Sequence, residues 1–416
     1  MEKTLEKGKI ELLAPAGSFE KAKVAFLYGA DAVYCGTSSL SLRARADMQD
    51  TDLEDTIKYA HSINKKVYVT LNIFAWDDKY DEIKELVYKL KELKPDGVII
   101  ADGGIMQIVK DIAPELPINI STQANVISLE NAKFWYNAVG AKRVITGREM
   151  NKEQLKYMME NKPKDLEVEI FVHGAICFAY SGRCFLSDYL SCRSANLGDC
   201  SQSCRWSYNL YAEERNKPGE LLPIEADEKG TSIFSSKDLC LIKELPEIIQ
   251  MGVDSLKIEG RLKTEYYLAG VINAYRTAID DYLSNPDMFD YTKYLNELDK
   301  IKTRGLTTFY FNDRKNKDIQ EYKGRQYNEE YEFGGKILEY AEEKSIIEIK
   351  NKLEVGDTLE LIVPNKIEAQ IFKIEQLWDC NTKEPIQSIS PGVKGQKVYI
   401  KIPYYAEENW ILRRKK

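Results

Sequence analysis

Residues Glu169 to Cys204 read EIFVHGAICFAYSGRCFLSDYLSCRSANLGDCSQSC, and the rest of the chain is organised around them. Five of the chain's eight cysteines fall in this stretch: Cys177, Cys184, Cys192, Cys200 and Cys204. The apolar run Val168 to Val172 ends at His173-Gly174, and Cys177 follows at once. That pattern predicts a buried strand delivering thiols at its C-terminal end. Ser191 to Trp206 is rich in Ser, Cys, Arg and Asn and has no period, so it packs poorly by itself. A metal or a disulfide would tie it down.

Upstream, short apolar runs alternate with amphipathic stretches. Strands are predicted to start at Ile10, Ala32, Val67, Gly97, Ile118, Arg143, Val168 and Ser255, eight in all. Helices are predicted over Phe19–Tyr28, Leu53–Ile63 with Asp52 as N-cap, Tyr80–Leu93, Glu130–Ala138, Lys152–Asn161 and Glu265–Tyr282. Continuous rather than alternating apolar strands favour a parallel sheet covered on both faces. Eight βα units point to an α/β fold, a (β/α)8 TIM-like barrel over residues 1–285. Residues 177–254 form an insertion after the seventh strand, with short strands of its own at Ser207–Ala212 and Thr231–Ser235. A doubly wound open sheet is the alternative, but no glycine fingerprint for dinucleotides follows any strand. Residues 286–330 read as a linker with a peripheral helix over Asp287–Lys302. Residues 331–416 hold five short alternating strands, the pattern of a small antiparallel β-barrel domain. In a barrel, polar residues just past strand ends line the active site. Asn72, Gln123, Arg148, His173, Lys257, Glu259 and Arg261 stand at such places.

The net charge of −7 argues against a surface coated for non-specific nucleic-acid binding. Lys300–Arg304, Arg314–Lys317 and Arg413–Lys416 are the candidates for a local basic groove, a solvated face being the plainer reading of each. No run approaches the roughly 18 apolar residues of a membrane span. The N-terminal MEKTLEKGKIELLAPAG is charged and lacks the apolar core of a signal peptide. A cytoplasmic protein without membrane contact is expected. In that compartment clustered cysteines bind metal or act in catalysis more often than they form disulfides. Cys177-x6-Cys184, Cys200-x3-Cys204 and Cys240 in SSKDLC supply more than four thiols. Only Cys200/Cys204 has the tight spacing of a zinc knuckle, so an iron–sulfur cluster fits better, with zinc as the alternative. Of the two histidines, His61 lies inside a predicted helix and His173 ends the strand before Cys177. There is no HExxH and no GxSxG. A Cys–His hydrolase built on His173 stays open.

Glu169-x-Phe171-x2-Gly174-Ala175-Ile176-Cys177-x4-Gly182-x-Cys184-x-Leu186-Ser187 resembles the signature of the collagenase-like peptidases, family U32, at every specified position. ELLAPAGSFEKAKVAFLYGADAVYCG, LRARA, SSKDLCLI and SLKIEGRLKTEYYLAGVINAYR look like further family blocks between about Glu11 and Asp280. The β-rich tail resembles the C-terminal domain that some members carry. The resemblance implies an oxygen-independent hydroxylation protein holding a 4Fe–4S cluster. Members of this kind act on tRNA, on ribosomal RNA or in ubiquinone synthesis. The tRNA group, which this chain resembles most in length and domains, turns a wobble uridine into 5-hydroxyuridine with prephenate as oxygen donor.

Carried onto this sequence, the resemblance implies Cys177, Cys184, Cys200 and Cys240 as cluster ligands. Cys204 competes for a place, because another relative uses a C-x3-C pair, and Cys192 has no counterpart. Arg43, Arg45 and Arg261 are expected to hold the donor's carboxylates, with Asn72, Gln123 and Arg148 as further substrate contacts. His173, Glu259 and Lys257 are the expected catalytic groups. Trp378, Trp410 and Arg413–Lys416 are expected to grip RNA by stacking and phosphate contacts. The expected partner is tRNA, with ribosomal RNA as the alternative and a second family member as a helper. A true peptidase and a non-catalytic iron–sulfur or zinc module of a larger complex are the competing readings.

Overall fold

The computed structural model describes residues 10–36, 48, 50–177, 179, 182–206, 208, 210–213, 216, 218–219, 221–224, 236–313, 316, 319, 330–392 and 395–416. Strands and helices alternate from the start: β1 (Glu11–Pro15), α1 (Phe19–Leu27), β2 (Ala32–Gly36), α2 (Asp50–Ser62), β3 (Lys66–Leu71), α3 (Tyr80–Leu93) and β4 (Gly97–Ile100). The series continues with α4 (Gly103–Ile112), β5 (Ile118–Ile120), α5 (Leu129–Val139), β6 (Arg143–Ile145), α6 (Lys152–Asn161) and β7 (Glu167–Ala175). After β7 come a short α7 (Leu186–Ser191), the antiparallel hairpin β8 (Leu210–Glu213) and β9 (Leu221–Ile224), and β10 (Asp238–Cys240). Beyond them lie α8 (Leu245–Gln250), β11 (Ser255–Ile258), the long α9 (Glu265–Ser284), α10 (Thr292–Asp299) and β12 (Leu306–Thr307).

β11 closes the barrel by pairing in parallel with β1 on one side and β7 on the other, Ser255 lying opposite both Glu11 and Glu169. The expected (β/α)8 architecture is therefore present, with all eight strands where the apolar runs put them. Local chemistry sets the helix starts. Ser18, Asp102, Ser128 and Thr264 each accept a hydrogen bond from a backbone N–H of the first turn, and Asn151 with Gln154 forms a capping box. Asp52 does not cap α2, which already begins at Asp50. The peripheral helix expected over Asp287–Lys302 is shorter, Thr292–Asp299, and packs on α9.

Two features exceed the expectation. β10 pairs antiparallel with the C-terminal end of β7, and β12 joins β10 in parallel, so the insertion returns to the barrel wall. The C-terminal region holds more than five strands. Its eight-stranded antiparallel sheet places the final strand, Ile411–Lys415, between Tyr331–Glu339 and Thr358–Ile362. The Tyr28 hydroxyl at α1's C-terminal end donates to the Ile362 carbonyl and accepts from the Ile411 N–H, and Asn273 of α9 donates to the Val363 and Lys366 carbonyls. These bonds fasten the sheet to the outer wall of the barrel. Of the insertion's expected strands, the first overlaps β8, and Thr231–Ser235 lies outside the described residues. No helix among the described residues is long and apolar enough to cross a membrane.

Candidate active site

Side chains alternate across each strand, so every second residue points into the barrel. Here the inward set at the foot is charged. Arg143 donates to Glu11 at 2.6 Å and Glu169 at 2.8 Å, pairs with Glu167 at 2.7 Å, and bonds the Tyr68 hydroxyl at 3.2 Å. The second oxygen of Glu169 accepts from Lys257 Nζ at 2.7 Å. Arg143, Glu169 and Lys257 are all buried, a filling unlike the branched apolar layers usual in such barrels. Burial pushes the Lys257 ammonium down from the ordinary lysine range while Glu169 pulls it back up. The ammonium also lies 4.2 Å from the Tyr34 ring centre.

Above this floor a pocket of about 90 Å³ opens at the C-terminal mouth. It is lined by Asn72, Gln123, Arg148, Lys257, Glu259 and Arg261, and Cys177 stands at its edge. Six expected site residues and one expected ligand thus converge on one cavity. Arg261 Nη1 donates to Thr70 Oγ1 at 3.1 Å, and Arg148 lies face-on to Phe171 at 3.6 Å. Tyr34 donates to Glu259 Oε2 and to the Ile258 carbonyl, each at 3.1 Å. Gln123 Oε1 is buried without a hydrogen-bond partner. Tyr34, Thr70, Ser121 and Phe171 also line the pocket and are not among the expected site residues; counting by two from Asn72, Gln123 and Glu169 finds the last three.

His173 does not reach this pocket. Phe171 pairs with Lys257 and His173 with Ile258, so one residue of β7 is bulged out, and the bulge reverses the facing of the residues beyond it. The ring turns outward against α9, edge-on to Tyr275 at 5.6 Å and tilted to Tyr267 at 6.1 Å. Both ring nitrogens lack hydrogen-bond partners, and burial lowers the imidazole pKa to about 4. Arg43 and Arg45 lie outside the described residues.

The cysteines divide into two environments. Cys204 is partly buried, and its thiol is pushed up first by that burial; Arg205 opposes the rise, while the neighbouring Cys177, Cys200 and Cys184 sulfurs add to it. Four thiols therefore share one neighbourhood. The Gln202 N–H donates to Cys200 Sγ at 3.4 Å, and Arg205 clamps the loop by donating to the Ile176 carbonyl at 3.0 Å. Cys240 has a different setting. It sits buried in β10 opposite His173, 3.8 Å from the Tyr275 hydroxyl, and burial raises its thiol to about 11. All these cysteines are free thiols. Among the described residues no three His, Cys, Asp or Glu side chains stand at ligating distance of a common point, so the four sulfurs are neighbours rather than a closed cage.

What ties the loop down is serine chemistry. Ser187 Oγ donates to the Arg193 carbonyl at 2.6 Å and accepts from the Ser201 N–H at 2.9 Å, and Arg193 pairs with Asp199. Two glycines of the signature fix where the loop meets the mouth. Gly182 has φ +73°, and a Cβ there would lie 2.2 Å from the Gln123 carbonyl oxygen. Gly174, with φ +107°, sits almost as tight against the Glu259 carbonyl.

Residues 17–321 match Peptidase family U32, and residues 329–413 match the Peptidase family U32 C-terminal domain. The chain belongs to this family. Among its U32 relatives, tRNA hydroxylation protein P1 of Bacillus subtilis (strain 168) is 37% identical over 380 residues, covering 90% of this chain and 88% of that one. tRNA hydroxylation protein P of Escherichia coli (strain K12) is 36% identical over 448 residues, covering 97% and 96%. The 23S rRNA 5-hydroxycytidine C2501 synthase of Escherichia coli (strain K12) is 30% identical over 374 residues, covering 88% of this chain and 54% of that one.

Of the residues expected to grip RNA in the C-terminal U32 domain, Arg413, Arg414 and Trp410 are engaged within the protein. Arg413 is buried between Glu360 and Glu297, and Arg414 pairs with Glu332 and Asp357. Trp410 is core, and Lys300 and Arg304 are likewise engaged by Glu297, Glu360 and Asp238. Acids across the sheet pair the two arginines of the basic tail, and Lys415 and Lys416 are exposed. Trp378 is half-buried, 4.4 Å from Lys344. Arg314, Lys315 and Lys317 lie outside the described residues.

Proposed function

We propose that this chain is an oxygen-independent RNA hydroxylase of the cytoplasm, acting on a tRNA uridine to give 5-hydroxyuridine, with a small dicarboxylate such as prephenate as oxygen donor. The observation that carries the reading is that Cys177 belongs at once to the four-sulfur neighbourhood and to the rim of the cation-lined pocket. Of the three relatives named above, the two tRNA hydroxylation proteins are the more similar, which favours tRNA over ribosomal RNA as the substrate.

Four soft thiol donors with backbone N–H support suit a 4Fe–4S cluster, which would supply one-electron chemistry beside the pocket when bound. In this reading Cys177, Cys184, Cys200 and Cys204 hold it, Cys204 taking the place expected for Cys240. Arg148 and Arg261 present planar donor pairs that match carboxylates. Lys257 adds a fixed positive charge from below, held in place by Glu169. Glu259, anchored by Tyr34, is the group placed to take or give a proton, and Gln123 Oε1 is a free acceptor for an N–H of the base.

The peptidase reading suggested by the family's name needs a thiolate–imidazolium pair, with the thiol pushed down. His173 and Cys240 are directly opposite each other, yet burial moves the imidazole down to about 4 and the thiol up to about 11. Both shifts favour neutral, inert groups.

The test is nucleoside mass spectrometry of tRNA from a strain lacking the protein, beside iron and sulfide analysis of protein purified without oxygen. Loss of 5-hydroxyuridine derivatives with about four irons per chain supports the proposal. An intact tRNA profile with ribosomal hydroxycytidine missing would move the substrate, and an iron-free or single-zinc protein would sink the cluster chemistry.

A further inference from the structure

Most large apolar side chains left in water are scattered, but six of the exposed ones sit on the loops and the short α7 of the barrel's C-terminal face: Trp76, Phe185, Tyr189, Leu190, Trp206 and Leu262. Three flank the cysteines directly. Phe185 follows Cys184, and Trp206 is two residues past Cys204. Tyr189 lies one helical turn beyond Phe185, its N–H bonded to the Phe185 carbonyl at 3.0 Å, so the two rings share a face of α7. That face is turned to solvent, Phe185 being 70% and Tyr189 76% exposed, while the opposite face is pinned to the loop by buried Ser187. Trp206 is held by its Nε1–H bond to the Ser201 carbonyl at 3.2 Å, with the Tyr208 ring 6.4 Å away at an interplanar angle of 32°.

We infer that Phe185, Tyr189 and Trp206 form a stacking platform for unpaired bases of a single-stranded RNA loop, beside the pocket that receives the base to be modified. The inference rests on the RNA hydroxylase reading and says where the substrate sits. A base inside a helix cannot offer its ring to a pocket this narrow, so the target nucleotide must leave its stack. Rigid aromatic rings at the rim replace the stacking that its neighbours lose, without regard to sequence. The charges agree. Arg148, Lys257 and Arg261 outnumber Glu259 in the pocket, and exposed Arg183 stands one residue before Cys184, on a chain whose net charge is −7. These cations draw a polyanion to this face. In the C-terminal sheet Arg413 and Arg414 are engaged in internal pairs.

The experiment is fluorescence anisotropy of the full-length protein with a labelled RNA stem–loop and, separately, with a fully paired RNA of equal length. Phe185→Ala with Tyr189→Ala should weaken stem–loop binding by roughly ten- to a hundredfold, and Tyr189→Trp should bind as the wild type does. The double variant should leave the slope of log K against log salt unchanged, whereas Arg183→Ala should lower it by about one ion. Unchanged stem–loop affinity in a double variant with wild-type circular dichroism and melting temperature would overturn the platform. So would a double variant that binds RNA normally and loses only self-association, since the face would then be a protein contact. A wild-type protein that binds neither RNA at low salt would instead remove the hydroxylase reading, and this inference with it.

Discussion

At the N-terminal end of β7 both oxygens of Glu169 are taken, one by Arg143 and one by Lys257, and Glu167 is paired with Arg143 and Lys142. At the C-terminal end of the same strand the two nitrogens of His173 have no hydrogen-bond partner, and Gln123 across the mouth leaves its Oε1 unmatched. A buried polar atom without a partner costs about 1–3 kcal/mol, so natural proteins leave few. The foot is a closed set of charge pairs that fixes the barrel. The mouth carries an open valence at Gln123 where a ligand belongs, with four sulfurs and three cations gathered beside it, whereas His173 faces outward into the packing against α9.

The sharpest way to break this contrast is to exchange the two kinds of cysteine. Cys204→Ala should abolish iron binding and RNA hydroxylation, because it removes one of four neighbouring thiols. Cys240→Ala should keep the iron, because that thiol is a buried packing group under Tyr275. Iron and sulfide analysis of the two proteins purified without oxygen decides it. If Cys240→Ala loses the iron and Cys204→Ala keeps it, strand β10 rather than the loop supplies the fourth ligand.

Spacing alone could not separate these cysteines, and the reason is geometric. Cys240 lies on a three-residue strand that turns back antiparallel along β7, and so short a run carries no readable period. The eight barrel strands were legible because each is a continuous apolar run, Val67 to Leu71 being the plainest, set between helices with recognisable caps. The expected pocket residues were legible for the same reason, each standing at or just past the end of a strand that could be located. His173 was legible as a strand end but not in its direction, since a one-residue bulge leaves no mark in the sequence. The last strand was hidden for a different reason. Its ILRRK reads as a basic tail until the facing Glu360, Glu332 and Asp357 are known, and those acids lie more than fifty residues away.

The second prediction concerns the foot. Glu169→Gln would leave Arg143 and Lys257 buried with a lost counter-charge, and removal of one partner from a buried ion pair costs about 3–5 kcal/mol. Urea unfolding should show a loss of that size. Adding Lys257→Met should return part of it, because the orphaned ammonium is gone. At the mouth, Gln123→Ala should cost about 1 kcal/mol or less, since its oxygen has no bond to lose. Equal costs at the two sites would mean that the open valence is only apparent.

The third prediction is smaller and depends on pH. Burial against Tyr267 and Tyr275 holds the His173 imidazole neutral, with its pKa lowered from 6.5 to about 4. Between those values the unfolded chain binds a proton that the folded protein refuses, so folding stability falls as the medium is acidified. The contribution is intact above about pH 6.5, declines through the window, and is fully lost below about pH 4, a total of about 3 kcal/mol. His173→Phe keeps a ring in the aromatic pocket and has no proton to take up. Its urea midpoint should therefore stay closer to its neutral-pH value than the wild type's does, the gap between the two widening steadily from about pH 7 to about pH 4.5. Glu11 and Glu360, whose carboxyls are held below their usual range by Arg143 and Arg413, destabilise both proteins alike on acidification and drop out of the difference. Parallel curves would mean that His173 takes its proton freely in the folded state, and its outward pocket would then have to be open to water like the mouth rather than closed like the wall.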